Sequence, residues 1–333
     1  MGGPSAEHEV SLNTGKQIIS HLDSNRYLAT PVIITKTCQW IMPPFVKKIS
    51  KTTEAVALPQ TLALQEVAQQ GMDVAFIALH GKYGEDGTIQ GLLEALRIPY
   101  TGSKVLASAL GMDKPRSLSV FRDSGLHVPA FRVMNKNELK RKSGQLQREL
   151  IKEFSLPLVV KPSDHGSSVG VSIVRNAGDL PNAIRDAFRY SPEIMIQKFI
   201  DGRELTCGVI EKENGKLLAL PPIEIIPKLG KFYDYKSKYD DGGSDHLISP
   251  PNMPKSTLQH VQVAATLAHR AIGCAGMSRS DFILGKDNKL YILEINTIPG
   301  MTSTSLLPHA ASAVNIHFPQ LLDILIKNAL RKN

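Results

Sequence analysis

Asp281, Glu294 and Asn296 present three oxygen donors on two largely apolar stretches, Ser280 to Leu284 and Lys289 to Asn296, with Arg279 just ahead of them. Between the stretches lies Gly285-Lys286-Asp287-Asn288, a cluster of turn formers, so the segment predicts a β-hairpin. A four-residue turn sets Leu284 opposite Lys289, Asp281 opposite Ile292 and Arg279 opposite Glu294. The period of two then gathers Arg279, Asp281, Glu294 and Asn296 on one face. Carboxylate and amide oxygens suit a hard cation such as Mg2+, which keeps part of its water and bridges protein to nucleotide phosphate; thiolates or imidazoles would point to zinc. Taken singly, each of the three is better read as a solvated residue on a half-exposed sheet. As a set they resist that reading, because Glu294 and Asn296 interrupt the apolar run Leu290 to Ile298. Pro299-Gly300 then breaks the strand and frees backbone amides.

Other residues could handle phosphate. Lys161 closes the apolar run Leu156 to Lys161 and is followed by Gly166-Ser167-Ser168-Val169-Gly170, whose amides can close over an anion. The lysine precedes the glycines, so this is not a Walker A loop; a Gly/Ser stretch by itself is most often a hairpin loop. Lys114 falls at the start of a helix that Asp113 caps and Pro115 opens. A cation there opposes the helix dipole unless an anion lies beside it, although a surface lysine would read the same. His80 begins His80-Gly81-Lys82-Tyr83-Gly84-Glu85-Asp86-Gly87, directly after the apolar run Asp73 to Leu79. In open α/β sheets ligands sit at such strand ends, yet a lone loop histidine is usually structural or solvated, and Glu85 and Asp86 read as turn and cap residues. Glu7 follows a glycine-rich turn and, alone, reads as a charge complementing a helix N-terminus.

The elements that must position these groups alternate. A helix is predicted to about His21, a short strand at Pro31 to Thr35, a helix over Leu58 to Gln70 closed by Gly71, and a buried parallel strand at Asp73 to Leu79. A second pattern begins near Asp113: strand Phe131 to Met134, a helix opened by Asn135 with Glu138 three residues on, strand Leu156 to Lys161, and the strand-turn-strand Glu193 to Leu205. Phe232 to Tyr239, aromatic and followed by Gly242-Gly243, reads as a mobile cover or as a solvated loop. Amphipathic helices follow at Ser256 to Ile272 and Phe318 to Leu330.

With 333 residues, 42% hydrophobic and 21% charged, the chain has room for two or three domains with their own cores. The net charge of +8 comes from dispersed lysines, and aromatic content is 6%, which argues against a nucleic-acid-binding protein and for anionic small-molecule substrates. Cys38, Cys207 and Cys274 are far apart, so no disulfide framework or structural zinc is expected and a reducing cytoplasm fits. No run is long and apolar enough for a membrane span, and Ala6 stands where a myristoylation site needs Ser or Thr.

The His80 to Gly87 string, Lys114, the Lys161 to Val171 loop, Gln197 to Glu204, Phe232 to Tyr239 and the hairpin with Glu294-x-Asn296 and Pro299-Gly300-Met301-Thr302-x-x-Ser305 together resemble, in order, the D-alanine:D-alanine ligases of the ATP-grasp superfamily. The resemblance implies an α/β chain of three domains: a Rossmann-like domain over residues 1–111, a central lid domain over 112–196 and a C-terminal domain over 197–333, with ATP between the last two. The family has an apolar strand before the double glycine, so the first sheet is expected to lack its leading strand.

For the residues, it implies that Glu7 holds the ammonium of the first D-alanine, with His80 in the same subsite. Lys114, Lys161 and Lys238 would carry phosphates. Gln197, Lys198, Phe199 and Ile200 would form the adenine hinge, and Glu204 would bind the ribose. Asp281, Glu294 and Asn296 would hold two Mg2+ (or Mn2+) ions. Arg279 and the Gly300 amide would stabilise the tetrahedral oxyanion, Ser305 and the Leu306 amide would take the second carboxylate, and Ser167 and Tyr239 would close over the substrates with Glu7. Tyr239 favours D-alanine over D-lactate as acceptor; D-lactate or D-serine is the alternative. His165 stands where many relatives have glutamate, and Gln197 where an acid is more usual. The resemblance further implies a homodimer, with neither nucleic acid nor membrane as partner.

Overall fold

The computed structural model describes residues 1–42, 56–58, 71–166, 169–228, 244–302 and 305–331. Near the N-terminus, β1 (Ile33–Ile34), β2 (Trp40–Met42) and β3 (Val56–Leu58) form an antiparallel sheet. Leu58, expected to open a helix, instead pairs with Trp40 at the end of β3; the rest of that predicted helix lies outside the described residues. Beside this sheet the backbone runs parallel: Gly2 bridges both Ile34 and Leu79, and Ala75 bridges Tyr100. Met1 to Gly3 therefore lies between Ile34 and Leu79, where the first sheet was expected to lack a strand, and the amide of Gly3 donates to the carbonyl of Ile34 at 2.7 Å. Asp73 to Leu79 is not the continuous strand predicted. Side-chain hydroxyls take its backbone groups: the amide of Ile77 donates to Thr101 Oγ1 and Ser11 Oγ donates to the carbonyl of Ala78. Its apolar character is spent in the core, where Ile77, Ala78 and Leu79 are buried.

A four-stranded antiparallel sheet follows, ordered β4 (Phe131–Asn135), β7 (Glu193–Lys198), β5 (Leu158–Pro162) and β6 (Ser172–Val174). The helix Lys136–Phe154 that covers it begins with the predicted capping box: Asn135 accepts from the amides of Asn137 and Glu138, and Glu138 accepts from the amide of Asn135. Leu158, Val160, Ile194 and Ile196 bury one face of the sheet against Leu146, Leu150 and Phe154. Lys161, opposite Met195, and Gln197, opposite Val159, belong to the other face.

The third sheet is antiparallel, ordered β11 (Ser244–Ile248), β10 (Ile223–Pro227), β8 (Gly202–Glu211), β12 (Met277–Gly285) and β13 (Leu290–Asn296), with β9 (Leu217–Ala219) also on β8. Its core face carries Leu205, Cys207, Val209, Phe282, Ile292 and Ile295, covered by the helix Lys255–Ala271 and by Leu118 and Phe121. Those last two lie on the helix Lys114–Asp123, so the helix that begins with Lys114 is anchored on the hairpin that carries Glu294.

The hairpin departs from the predicted register. The amide of Gly285 bonds the carbonyl of Lys289 and Leu284 faces Leu290, because Asn288 takes a left-handed conformation (φ 60°) that shortens the turn. Phe282 faces Ile292, but Asp281 faces Glu294 and Arg279 faces Asn296, leaving Leu293 as an extra residue in a β-bulge. The bulge lets Ile292 and Ile295 both reach the core while Glu294 and Asn296 join Arg279 and Asp281. The shared face was anticipated; the partners were not. Among the described residues no helix is long and apolar enough to cross a membrane.

Candidate active site

A cavity of about 570 Å³ opens between the N-terminal segments, the start of the helix Lys114–Asp123 and the bulged hairpin. Of the residues singled out from the sequence, Glu7, His80, Lys114, Arg279, Glu294, Asn296, Gly300, Ser305 and Leu306 line it. Asp281 lies just beneath. The pairing of β8 with β12 sets Thr206 beside Asp281 and Gly208 beside Arg279, so Thr206 Oγ1 donates to Asp281 Oδ1 at 2.6 Å. Arg279 holds the same carboxylate through Nε and Nη2, each at 3.1 Å. Thr206 is buried under the site and gave no signal in the sequence; only the strand register brings it there.

Lys114 is 7% exposed and its Nζ lies 3.2 Å from Glu294 Oε2. The same nitrogen donates to the carbonyl of His165 at 2.6 Å. Asp113 accepts from the amide of Arg116, the predicted cap, and Pro115 occupies the first turn. The anion required to justify a lysine at this helix start is thus, in the folded chain, the carboxylate of Glu294.

Glu7 stands between two glycines. A Cβ on Gly81 would lie 2.7 Å from Glu7 Oε2, and one on Gly166 would lie 3.0 Å from it. His80 shares Nε2 with Thr14 Oγ1 at 2.8 Å, and burial lowers its pKa, with Glu7 offsetting this only in part, so the imidazole is neutral. Asp86 accepts from the amides of Tyr83 and Thr88, as a turn residue would, but the N-cap of the helix Thr88–Ala95 is Gly87 in a left-handed conformation (φ 91°). Glu85 accepts from the amide of Gly81 at 2.7 Å but is more than the expected turn residue, since it also lines the cavity. Burial and the neighbouring charge of Glu7 push its carboxyl up to about 8. His246 of β11, also unforeseen, lines the cavity, and its pKa is lowered by burial and by the charges of His309 and Arg279.

Several expected residues do not line this cavity. Lys161 and Gln197 share the second face of β5 and β7 with Met195 and are both buried, and Gln197 Nε2 has no hydrogen-bond partner among the described residues. Lys198 ends β7, its amide bonded to the carbonyl of Ala130. The guanidinium of Arg175 lies 5.8 Å over the ring of Phe199, and Ile200 approaches Gly285. Glu204 sits two residues before Thr206 on β8, hence on the face of Asp281. Ser167, Lys238 and Tyr239 lie outside the described residues.

The donor set fits a hard divalent cation in type: two carboxylates face each other across β12 and β13, with the Asn296 amide beside them and no thiolate or imidazole in the set. Among the described residues no group of three His, Cys, Asp or Glu side chains could hold a metal ion; the third oxygen donor beside the two carboxylates is the amide of Asn296. In the chain as it stands that oxygen accepts from the amide of Ile298 at 3.1 Å. Ser305 Oγ accepts from the amide of Thr302 at 3.0 Å at the far end of the cavity.

Residues 1–103 match the family model described as D-ala D-ala ligase N-terminus, and residues 120–327 match D-ala D-ala ligase C-terminus. The chain is 42% identical over 331 residues to a D-alanine--D-alanine ligase of Pelotomaculum thermopropionicum, covering 99% of this chain and 95% of that one. It is 43% identical over 332 residues to one of Citrifermentans bemidjiense, covering 100% and 95%. Among solved structures, the VanG D-Ala:D-Ser ligase of Enterococcus faecalis is similar with TM-score 0.82 and 30% identity over 99% of this chain and 97% of that one. The D-alanine--D-alanine ligase of Bacillus anthracis complexed with ATP is similar with TM-score 0.77 and 33% identity over 100% and 96%. Matched in both halves and along its whole length, and carrying an ATP-grasp fold, the chain belongs to the D-alanine--D-alanine ligase family.

Proposed function

We propose that the protein joins two D-alanines at the expense of ATP, through an acyl phosphate, to supply a dipeptide for cell-wall precursors. The observation that carries this reading is the convergence on one cavity of an ammonium site (Glu7 with neutral His80), a phosphate site (Lys114 with Glu294) and a carboxylate site (Ser305 and Leu306). A ligase that must first phosphorylate one carboxylate and then present it to an amine needs those three in contact.

Glu7 holds the first D-alanine by its ammonium, leaving its carboxylate turned toward the γ-phosphate. Lys114 and Lys161 offset phosphate charge as that carboxylate attacks the γ-phosphorus and ADP leaves. Asp281, Glu294 and Asn296 would hold two Mg2+ or Mn2+ ions, which when bound would supply Lewis-acid neutralisation of the phosphate oxygens. Ser305 and the Leu306 amide orient the second D-alanine by its carboxylate, so that its amine reaches the acyl carbonyl. Arg279, fixed by its two bonds to Asp281, and the Gly300 amide take the charge of the tetrahedral oxygen before phosphate leaves. Gln197 to Ile200 would read adenine and Glu204 the ribose, while Ser167, Lys238 and Tyr239 would close the site. The three-domain division at 111 and 196, a homodimer and a cytoplasmic site of action belong to the same reading.

Phosphate release that requires ATP, a divalent metal and D-alanine together tests it. D-serine, D-lactate and L-alanine as second substrates set the acceptor; turnover with D-lactate or D-serine exceeding that with D-alanine would overturn the assignment. Asn296→Ala is expected to depress turnover strongly, and unchanged activity would sink the metal assignment.

A further inference from the structure

Lys82 belongs to the loop that begins with His80, and Asp164 to the loop that follows β5; the two meet at 2.8 Å between Nζ and Oδ2. Asp164 spends its other oxygen on its neighbour, with His165 Nδ1 at 3.0 Å from Oδ1. His165 in turn presents its backbone carbonyl to Lys114 Nζ at 2.6 Å, and Lys114 reaches Glu294 at 3.2 Å. The amide of Lys114 also bonds the carbonyl of Ser163 at 3.0 Å. A line of polar contacts therefore runs from the His80 loop through residues 163–165 to the lysine of the phosphate site and on to the hairpin.

Two details show that this line is held at its outer end by charge. Burial alone would raise the Asp164 carboxyl, but hydrogen bonds from Lys82, Ser191 and His165 bring it down to about 2, so it stays ionised. The His165 ring also packs edge-on to Tyr190 at 6.1 Å, which fixes the residue whose carbonyl meets Lys114. None of Lys82, Asp164 or His165 lines the cavity. The contacts traced from them lead to Lys114.

We propose that Lys82 and Asp164 are positioning residues: an electrostatic strap that ties the first-amino-acid loop to the loop after β5 and thereby sets the ammonium of Lys114 for the phosphates. The proposal rests on the ligase reading for what Lys114 does, but not for the strap itself. Lys82 and Asp164 are partly exposed, 44% and 35% at their side chains, so the pair acts by a few-fold rather than by orders of magnitude.

Lys82→Met and Asp164→Asn, singly and together, test it in two ways. In the ligand-free protein, amide hydrogen exchange over residues 80–87 and 163–166 is expected to rise in both segments for either single variant, with the double variant no faster than the singles. Exchange at 163–166 untouched by Lys82→Met overturns the strap. In steady state, each single variant should raise KM for ATP roughly two- to fivefold with kcat and melting temperature nearly unchanged, the double should add nothing, and rising salt should carry the parent toward the variants. A KM for ATP that does not move in an active enzyme, or effects that simply add, also overturns it. A parent protein with no D-alanine-dependent ADP formation would defeat the ligase reading instead, and the exchange measurements would still decide the strap.

Discussion

Asp281 faces Glu294 directly across the hairpin because Leu293 is bulged out of the ladder between them and the Phe282–Ile292 pair. One extra residue changes which side chains share a face, and here it parts Ile292, fully buried in the core, from Glu294 in the cavity. With Leu284 paired to Leu290, the carboxylates reach the same side only through that irregularity.

The partner that orients Asp281 from below is Thr206, at 2.6 Å. Thr206→Val keeps the shape and deletes the hydroxyl, leaving Arg279 alone to aim the carboxylate. On the proposed metal assignment, removing such an outer partner of a ligand costs roughly 10- to 100-fold in metal affinity or activity. The expected result is a higher metal concentration for half-maximal turnover, read from a Mg2+ titration of phosphate release; an unchanged titration would show that Thr206 is only packing.

Glu85 makes stability depend on pH. Its folded pKa, about 8, is raised above the ordinary 4.5 by burial and by Glu7. Below the ordinary value both folded and unfolded chains hold the proton, so the neutral group costs nothing. As pH rises toward 8 only the unfolded chain releases it readily, so stability falls through that window. Glu85→Gln stays neutral and can still accept from the Gly81 amide. Its melting temperature should differ little from the parent near pH 5 and exceed it by roughly 3 °C or more near pH 8.5, as followed by calorimetry.

Gly81 has φ 72° and no room for a Cβ, which would lie 2.7 Å from Glu7 Oε2. Gly81→Ala must move the Glu7 carboxylate, the group proposed to receive the ammonium. Displacement on the scale of an ångström costs on the order of 10²-fold in kcat/KM for D-alanine. KM for ATP should change less than KM for D-alanine, because the added Cβ meets Glu7 itself whereas Lys114 is reached only through the Lys82–Asp164 contact. Equal losses for both substrates would contradict a local effect.

Phe121 is fully buried and joins the helix of Lys114 to Phe282, Ile292 and Ile295 of the hairpin. Phe121→Ala should destabilise the chain by about 3–5 kcal/mol in urea unfolding. At temperatures where the variant remains folded, KM for ATP should rise, since the base of Lys114 is no longer clamped on Glu294's strand. Stability lost without any change in KM would mean the helix start is held by Asp113 and Ser163 alone.

The sequence by itself determined the features that local order encodes. The oxygen donors on a predicted hairpin, the Asp113 cap with Pro115 and the Asn135–Glu138 capping box depend on neighbours a few residues apart, and all three are found. Tertiary structure decided what depends on parity and on distant partners. The bulge at Leu293 set the register, hydroxyls of Thr101 and Ser11 replaced ladder bonds along Asp73 to Leu79, and strand pairing brought Thr206 under Asp281. Glu85 looked like a turn residue because its bond to Gly81 is local, whereas its altered acidity comes from burial beside Glu7, far away in the chain. A bulge shifts a whole face by one residue and a buried charge answers to everything packed around it, so neither is written in the spacing of residues along a strand.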